Sequence, residues 1–148
     1  MVDVSVVLAR PWGRASMALS ICQPWAPGGI LVAWKSDLLW VSVINKGEFS
    51  ITSNITSLEN GKEWVCTSVY GPQALEDKVR FLQEIELIGQ QIHLPWIVNG
   101  DFNLVRNVEE RSTGRGSRQI INKFRHTINN LDLHDMPLVG RKYTWSNE

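Results

Sequence analysis

Hydrophobic and polar positions in the first half of the chain predict a run of β-strands. Two short segments are almost wholly apolar, and a third alternates apolar with small polar residues, which is typical of a strand with one side in solvent. Asn60-Gly61 then supplies a tight hairpin turn before a fourth apolar segment. The four predicted strands are residues 29–34, 39–44, 49–56 and 64–70. Their order and the short turns between them predict four antiparallel strands in a row.

The pattern changes to a helical period after Tyr70. Apolar residues then recur at steps of three and four, which predicts the buried face of an amphipathic helix. These positions are Leu75, Val79, Leu82, Ile85, Ile88 and Ile92, and Lys78 falls among the polar residues of the opposite face.

A further short strand and a second helix are predicted after this first helix. Residues 94–98 are mostly apolar and lead directly into the polar residues 99–103. Ser117 is the predicted N-cap of the second helix, whose apolar positions are Ile120, Ile121, Phe124, Ile128 and Leu131. Residues 143–145 are the last predicted strand. The order of strands, helix, strand, helix and strand favours an α+β fold with a mixed or antiparallel sheet covered by helices.

Composition and charge place the chain among ordinary globular proteins. It has 148 residues, enough for one domain with a hydrophobic core, and a formal net charge of zero, so no overall basic field indicates a nucleic-acid partner. Residues 1–27 show no regular period and are expected to be a poorly defined leader to a domain over residues 28–148. Neither a signal peptide nor a bilayer-spanning apolar stretch is evident. We therefore expect a soluble, intracellular protein with no membrane partner, and the sequence leaves its oligomeric state open.

Asp101 and Asn103 have the first pattern that points to chemistry. They follow an apolar strand, where side chains can converge at the rim of a sheet, and Gly100 before them allows a tight turn. One interpretation places a proton acceptor and a hydrogen-bond donor in the same cleft. The other is an Asx turn, in which both side chains satisfy nearby backbone groups, and spacing alone favours this turn. Cys22 and Cys66 match no metal-ligand spacing, so no zinc site is expected.

Three motifs, taken in order, favour the catalytic interpretation of Asp101 and Asn103 over the Asx turn. They are Tyr70-Gly71-Pro72 after a strand, residues 96–103 with Gly100-Asp101-Phe102-Asn103, and Tyr143-Thr144-Trp145 near the end. Together they resemble the endonuclease/exonuclease/phosphatase (DNase I-like) superfamily, and most closely the endonuclease domains of plant-type LINE (non-LTR) retrotransposons. The resemblance extends over roughly residues 28–148.

The resemblance implies a fold, a reaction and a set of site residues. The fold would be a DNase I-like sandwich of mostly antiparallel sheet with covering helices, and the reaction would be Mg²⁺-dependent hydrolysis of DNA phosphodiester bonds. Asp101 would orient or deprotonate the attacking water, Asn103 would hydrogen-bond the scissile phosphate, and Tyr70 would lie beside it. A nuclear location would follow from the same family.

Two motifs of that superfamily do not occur in the sequence. A metal-binding glutamate in a Gln-Glu-Thr-Lys-like motif is expected before residue 28, where Asp3 is the only acid. A Ser-Asp-His motif is expected beyond residues 143–145 and is not found there. We therefore expect an incomplete domain that lacks N- and C-terminal parts, lacks the main Mg²⁺ ligand and has little or no activity as this chain. Missing strands would also leave open sheet edges and exposed apolar faces.

Basic residues cluster between Arg106 and Arg125, where six basic side chains accompany two acidic ones. Arg111, Arg115 and Arg118 are the expected nucleic-acid contacts. A solvated loop and helix face and a surface that contacts DNA phosphates are equally consistent with this cluster. Two alternatives to a nuclease fragment follow: a non-catalytic nucleic-acid-binding remnant, or a small-phosphoester phosphatase of the same superfamily. The motif forms at residues 70–72 and 143–145 favour the retroelement branch over the phosphatase.

Overall fold

The structure is a computed structural model that describes residues 16–22, 29–105 and 118–136. In these ranges the elements are β1 (Ser16–Cys22), β2 (Gly29–Lys35), β3 (Leu39–Lys46), β4 (Ser50–Ser57), β5 (Glu63–Tyr70), α1 (Leu75–Gly89), β6 (Trp96–Asp101) and α2 (Arg118–Asn130). The arrangement is α+β, as the sequence predicts. No described helix is both long and apolar enough to cross a membrane. The predicted N-cap Ser117, the predicted strand at residues 143–145 and most of residues 1–27 lie outside the described residues.

The described strands form two sheets. β3, β4, β5 and β6 make a four-stranded sheet in that order, in which the first three are antiparallel and β5 and β6 are parallel. β2 pairs instead with β1 in a two-stranded antiparallel sheet. The prediction of four antiparallel strands in a row is thus confirmed for β3, β4 and β5 and wrong for β2. Ile30 of β2 and Ile51 of β4 are buried in one apolar cluster, so β2 packs on the larger sheet instead of extending its edge.

The sequence pattern does not predict β1. Its seven residues, SMALSIC, alternate too weakly to indicate a strand by themselves. The strand is defined by its pairing with β2, which runs from Ser16 opposite Lys35 to Cys22 opposite Gly29. Pairing between segments is a long-range property that a local period does not contain.

The main core lies between α1, α2 and one face of the four-stranded sheet. The buried residues of α1 are Lys78, Phe81, Leu82, Ile85 and Ile88. The predicted face of this helix is therefore correct for Leu82, Ile85 and Ile88. It is wrong for Leu75 and Val79, which are 57% and 38% exposed, and Ile92 lies beyond the helix end at Gly89. The helix is rotated toward Phe81, which is fully buried and has more apolar surface to remove from water than Val79.

Helix α2 follows its predicted pattern closely. Its buried residues include every predicted apolar position within the helix, namely Ile120, Ile121, Phe124 and Ile128. Leu131 comes just after the last helical residue and packs against the same core cluster. The amphipathic period therefore identified the correct face of this helix.

A row of four aromatic rings crosses the core, and one of them, Phe102, belongs to the candidate site. The ring of Phe81 lies edge-on to Phe49 at 5.8 Å and to Phe102 at 6.1 Å between centroids. Phe102 in turn contacts Phe124 of α2 at 5.6 Å. Phe102 lies between Asp101 and Asn103 in the sequence, so these contacts fix the polar segment after β6 to the core.

Candidate functional site

The candidate site lies where the parallel strands β5 and β6 end together. Parallel strands finish at the same edge of a sheet, and here Tyr70, the last residue of β5, is the register partner of Asp101, the last residue of β6. Register partners place their side chains on the same face of a sheet, with the backbones about 4.8 Å apart. Residues that are 31 positions apart in the sequence numbering thus become neighbours. This edge brings together two of the three predicted catalytic residues.

Two glycines allow the strand ends to approach this closely. Gly100 has φ +126°, a backbone conformation that residues with a Cβ rarely adopt, and a Cβ there would collide with the carbonyl oxygen of Val69. Gly71 donates its N–H to the carbonyl oxygen of Asp101 at 2.6 Å. A Cβ on Gly71 would collide with the backbone of Phe102. The glycines of the two sequence motifs therefore have one shared purpose, which is to bring the ends of β5 and β6 into contact.

Asp101 and Asn103 form a tight turn after β6. The backbone N–H of Asn103 donates to Oδ1 of Asp101 at 2.9 Å, which is an Asx turn. Asn103 has φ +48°, in the left-handed region where Asn is more tolerated than other side chains. The Asx-turn interpretation of these residues thus describes their local geometry correctly. The turn does not exhaust their polar groups, because an Asp carboxylate has a second oxygen.

The Asn103 side chain ties this turn back to the end of β5. Its Nδ2 donates to the carbonyl oxygen of Gly71 at 2.7 Å. Tyr70 is half-buried and packs against the apolar cluster of Ile30 and Ile51. Its hydroxyl makes no hydrogen bond to other residues in the part of the chain that the structure describes. Tyr70, Asp101 and Asn103 consequently share one strand edge, with Asp101 exposed and the other two half-buried.

Lys78 is a residue of this region that the sequence pattern placed wrongly. The helical period assigned it to the polar face of α1, whereas it is only 5% exposed. Its Nζ donates to the backbone carbonyl oxygen of Asn103 at 2.7 Å. A lysine within a predicted helix gives no local indication of such a contact, because its partner is 25 residues away.

The described residues bring a single carboxylate to the candidate site as a ligand for magnesium. No three His, Cys, Asp or Glu side chains come together within residues 16–22, 29–105 and 118–136. Asp101 brings one carboxylate to the strand edge, and one of its oxygens already accepts the Asn103 N–H. Magnesium prefers six oxygen ligands, of which a protein commonly supplies one or two carboxylates. At this edge the described residues therefore supply one carboxylate, and no cluster with further carboxylates is found among them.

The basic cluster is only partly within the described residues. Arg106, Arg111 and Arg115 lie outside them, whereas Arg118 and Arg125 are exposed on α2 and Lys123 is half-buried. Arg118 and Arg125 are seven positions apart, which places both on one side of the helix. Residues 118–130 contain no acidic residue, so α2 itself contributes only basic and uncharged polar side chains to this surface.

Cys66 lies on the same face of β5 as Tyr70, four residues before it. Asn99 of β6 donates from Nδ2 to the Cys66 Sγ at 3.7 Å. Burial raises the pKa of the Cys66 thiol, and hydrogen bonds with Ser68 and Asn99 offset part of this increase. A thiol with a raised pKa is a weaker nucleophile at neutral pH, so Cys66 is not a candidate for covalent chemistry.

Comparisons with known proteins show a distant similarity to solved structures. No protein-family model and no curated protein matches the sequence. Among solved structures, the human Nocturnin catalytic domain with bound sulfate anion is similar at 20% sequence identity and a TM-score of 0.42. The alignment covers 60% of this chain and 43% of that structure, so the chain spans less than half of its length. A likeness of this size assigns the chain neither a family nor an activity.

Proposed function

We propose that the chain is part of a phosphodiester-cleaving domain of the endonuclease/exonuclease/phosphatase type, derived from the endonuclease of a LINE-type retroelement. The observation that carries this proposal is the meeting of Tyr70, Asp101 and Asn103 at the adjoining ends of β5 and β6. The three residues come from two motifs that resemble that superfamily. The substrate class would be a phosphodiester, with DNA as the parent substrate.

The donors and acceptors at this edge suit the hydrolysis of a phosphodiester. An amide nitrogen has two N–H groups, and Asn103 uses one of them on Gly71, which leaves one for a phosphoryl oxygen. The Tyr70 hydroxyl is a second neutral donor. The free carboxylate oxygen of Asp101 can accept a hydrogen bond from the attacking water and orient it. Donors held in place before the reaction stabilise the charge that develops on the phosphoryl oxygens.

The 148-residue chain alone is expected to nick DNA weakly or not at all. It contains neither a Gln-Glu-Thr-Lys-like segment nor a Ser-Asp-His segment. Removing members of a catalytic unit typically lowers the rate by several powers of ten. Plasmid nicking by this chain with Mg²⁺, if Asp101→Ala abolished it, would contradict the expected inactivity.

A chimera tests whether the strand edge is competent for the reaction. Residues 63–103 of this chain, which comprise β5, α1, β6 and the following turn, would replace the equivalent segment of a complete endonuclease domain of the same superfamily. We expect the chimera to nick supercoiled plasmid in a Mg²⁺-dependent manner. Asp101→Ala should lower its nicking rate by about a thousandfold, and Asn103→Ala by about a hundredfold.

Controls separate the site from the fold of the chimera. Glu76→Gln changes an exposed carboxylate on α1 and should leave the nicking rate within about twofold. Circular dichroism and thermal unfolding establish that each variant is folded. A folded chimera that does not nick, or one whose rate is unchanged by Asp101→Ala, would refute the proposal.

A non-catalytic nucleic-acid-binding protein is the second candidate. It is favoured by the α2 surface, where Arg118 and Arg125 are exposed on a helix without acidic residues. Under this alternative, Arg118→Glu with Arg125→Glu should weaken binding to duplex DNA about tenfold or more at low salt and flatten its salt dependence. Lys46→Glu with Lys62→Glu makes the same charge change at exposed positions elsewhere and serves as the control. Equal effects of the two double variants would indicate a general charge effect and exclude a specific α2 surface.

A further inference from the structure

Lys78 is a buried cation next to the candidate site. It lies in the first turn of α1, among the apolar residues of the buried face, and is 5% exposed. A lysine is rarely buried to this extent without partners, because removing an ammonium group from water is costly. One of its contacts is the 2.7 Å hydrogen bond from Nζ to the carbonyl oxygen of Asn103. The helix thus places a charged donor directly behind the Asp101–Asn103 turn.

Asn103 connects three separate segments of the chain. Its N–H donates to Asp101 at the end of β6, its Nδ2 donates to Gly71 after β5, and its carbonyl accepts from Lys78 on α1. A charge-assisted hydrogen bond is roughly twice as strong as a neutral one. Asn103 also has a left-handed backbone (φ +48°), a conformation that is less favourable for a residue with a Cβ than the right-handed one. A contact that holds its carbonyl in place offsets this cost.

We propose that Lys78 is a positioning residue that holds the Asp101–Asn103 turn in the conformation needed to present Asp101 and Asn103. Its role in catalysis rests on the proposed function, whereas its effect on the turn can be measured without any activity. Lys78 binds the backbone of Asn103 from the core side. It therefore acts through the turn and does not contact a substrate.

Hydrogen exchange of backbone amides tests this role. In Lys78→Met the apolar part of the side chain is kept and the donor is lost. We expect exchange at the Asn103 and Gly71 amides to accelerate about tenfold or more, while exchange at the core amide of Ile51 changes less than threefold. Lys78→Arg keeps a charged donor and should restore the slow exchange to within about threefold of the wild type.

Ile128→Val is the matched control for general destabilisation. Ile128 is buried on α2 and makes none of the hydrogen bonds that hold Asn103, so this change lowers stability without removing one of them. It should accelerate the Asn103, Gly71 and Ile51 amides by similar factors. The same uniform pattern in Lys78→Met would overturn the proposal.

A measurement on the wild-type chain covers the case in which Lys78→Met does not fold. NMR of the wild type should show a scalar coupling between the Lys78 Nζ and the Asn103 carbonyl carbon, together with slow exchange of the Lys78 ammonium protons. Rapid exchange of those protons without a coupling would overturn the proposal.

The chimera separates failure of this inference from failure of the proposed function. In a nicking chimera, Lys78→Met should lower kcat about tenfold and change KM for plasmid less than threefold, and Lys78→Arg should recover most of kcat. An inactive chimera with the expected exchange pattern would refute the proposed function and leave the positioning of the turn intact. An active chimera whose kcat is unchanged by Lys78→Met would refute the role in catalysis.

Discussion

Replacing Gly100 with alanine should open the edge at which β5 and β6 end. Gly100 has φ +126°, and an added Cβ would meet the carbonyl oxygen of Val69 on the neighbouring strand. The collision of the new Cβ with Val69 can be relieved only if the backbone at position 100 rotates or β6 moves away from β5. Either movement would weaken the Gly71 N–H bond to Asp101, which follows in the register. The prediction therefore concerns both stability and the geometry of the candidate site.

The expected loss of stability is the sum of a backbone-strain cost at position 100 and the loss of one backbone hydrogen bond. A side chain forced into a sparsely populated backbone region costs about 1–3 kcal/mol. Loss of one backbone hydrogen bond adds about 1 kcal/mol. We expect the free energy of unfolding to fall by about 3 kcal/mol, which for a chain of this length corresponds to a decrease in Tm of roughly 6–12 °C.

Gly61→Ala is the matched control. Gly61 also has a positive φ, +68°, but an added Cβ would have no heavy atom within 4 Å. It should cost only the left-handed backbone penalty, about 1 kcal/mol. Urea unfolding followed by circular dichroism measures both variants. If the free energies of unfolding of Gly100→Ala and Gly61→Ala differ by less than about 0.5 kcal/mol, the close contact of β5 and β6 does not require glycine at position 100.

Two further predictions concern the core and the thiol. Phe81→Ala should lower the free energy of unfolding by about 3–5 kcal/mol because Phe81 is fully buried. Val79→Ala on the same helix should change it by less than about 1 kcal/mol, because Val79 is 38% exposed. Comparable losses for the two variants in urea unfolding would show that the buried face of α1 is assigned wrongly. Burial raises the pKa of the Cys66 thiol, so the thiol of the unfolded chain ionises first as pH increases. In a Cys22→Ser background, the free energy of unfolding should therefore decrease as the pH rises above the ordinary cysteine pKa. The decrease should be smaller when Cys66→Ser is added. In the same background at pH 8, iodoacetamide should react more slowly with Cys66 in the folded chain than in urea, and a faster reaction in the folded chain would contradict the raised pKa.

Local periods in the sequence were sufficient for much of the fold. The alternation in residues 49–56 and the Asn60-Gly61 turn identify β4 and its hairpin with β5, because both depend on neighbouring residues. The apolar period of α2 identifies its buried face at Phe124 and Ile128. These elements could be predicted because each one's own residues determine its pattern.

Features that depend on distant partners could not be predicted from the sequence pattern. β2 pairs with β1 and not with β3, and nothing in the apolar run of β2 distinguishes the two partners. Leu75 and Phe81 are both apolar residues on α1, and only the packing with α2 and the sheet decides which of them is buried.

The candidate site was predictable in part. Gly100 and Asp101 after an apolar strand indicated the turn, and the resemblance placed Tyr70 beside it. The resemblance, not the spacing, joined the three residues, and the parallel pairing of β5 and β6 gives that association a structural basis. Lys78 could not be found because a lysine is buried only where distant groups accept hydrogen bonds from its ammonium group, and one of them here is the carbonyl of Asn103.

The central claim is that the joined ends of β5 and β6 are the place where a phosphodiester binds. The most direct measurement is an NMR titration of the ¹⁵N-labelled chain with a thymidine dinucleotide, which carries a single phosphodiester. The largest chemical-shift changes should occur at the amides of Gly71, Asp101 and Asn103 and at the Asn103 side-chain amide, and Asn103→Ala should reduce the shifts of the backbone amides. Shifts confined to the amides of α2, with none at these strand ends, would contradict the claim.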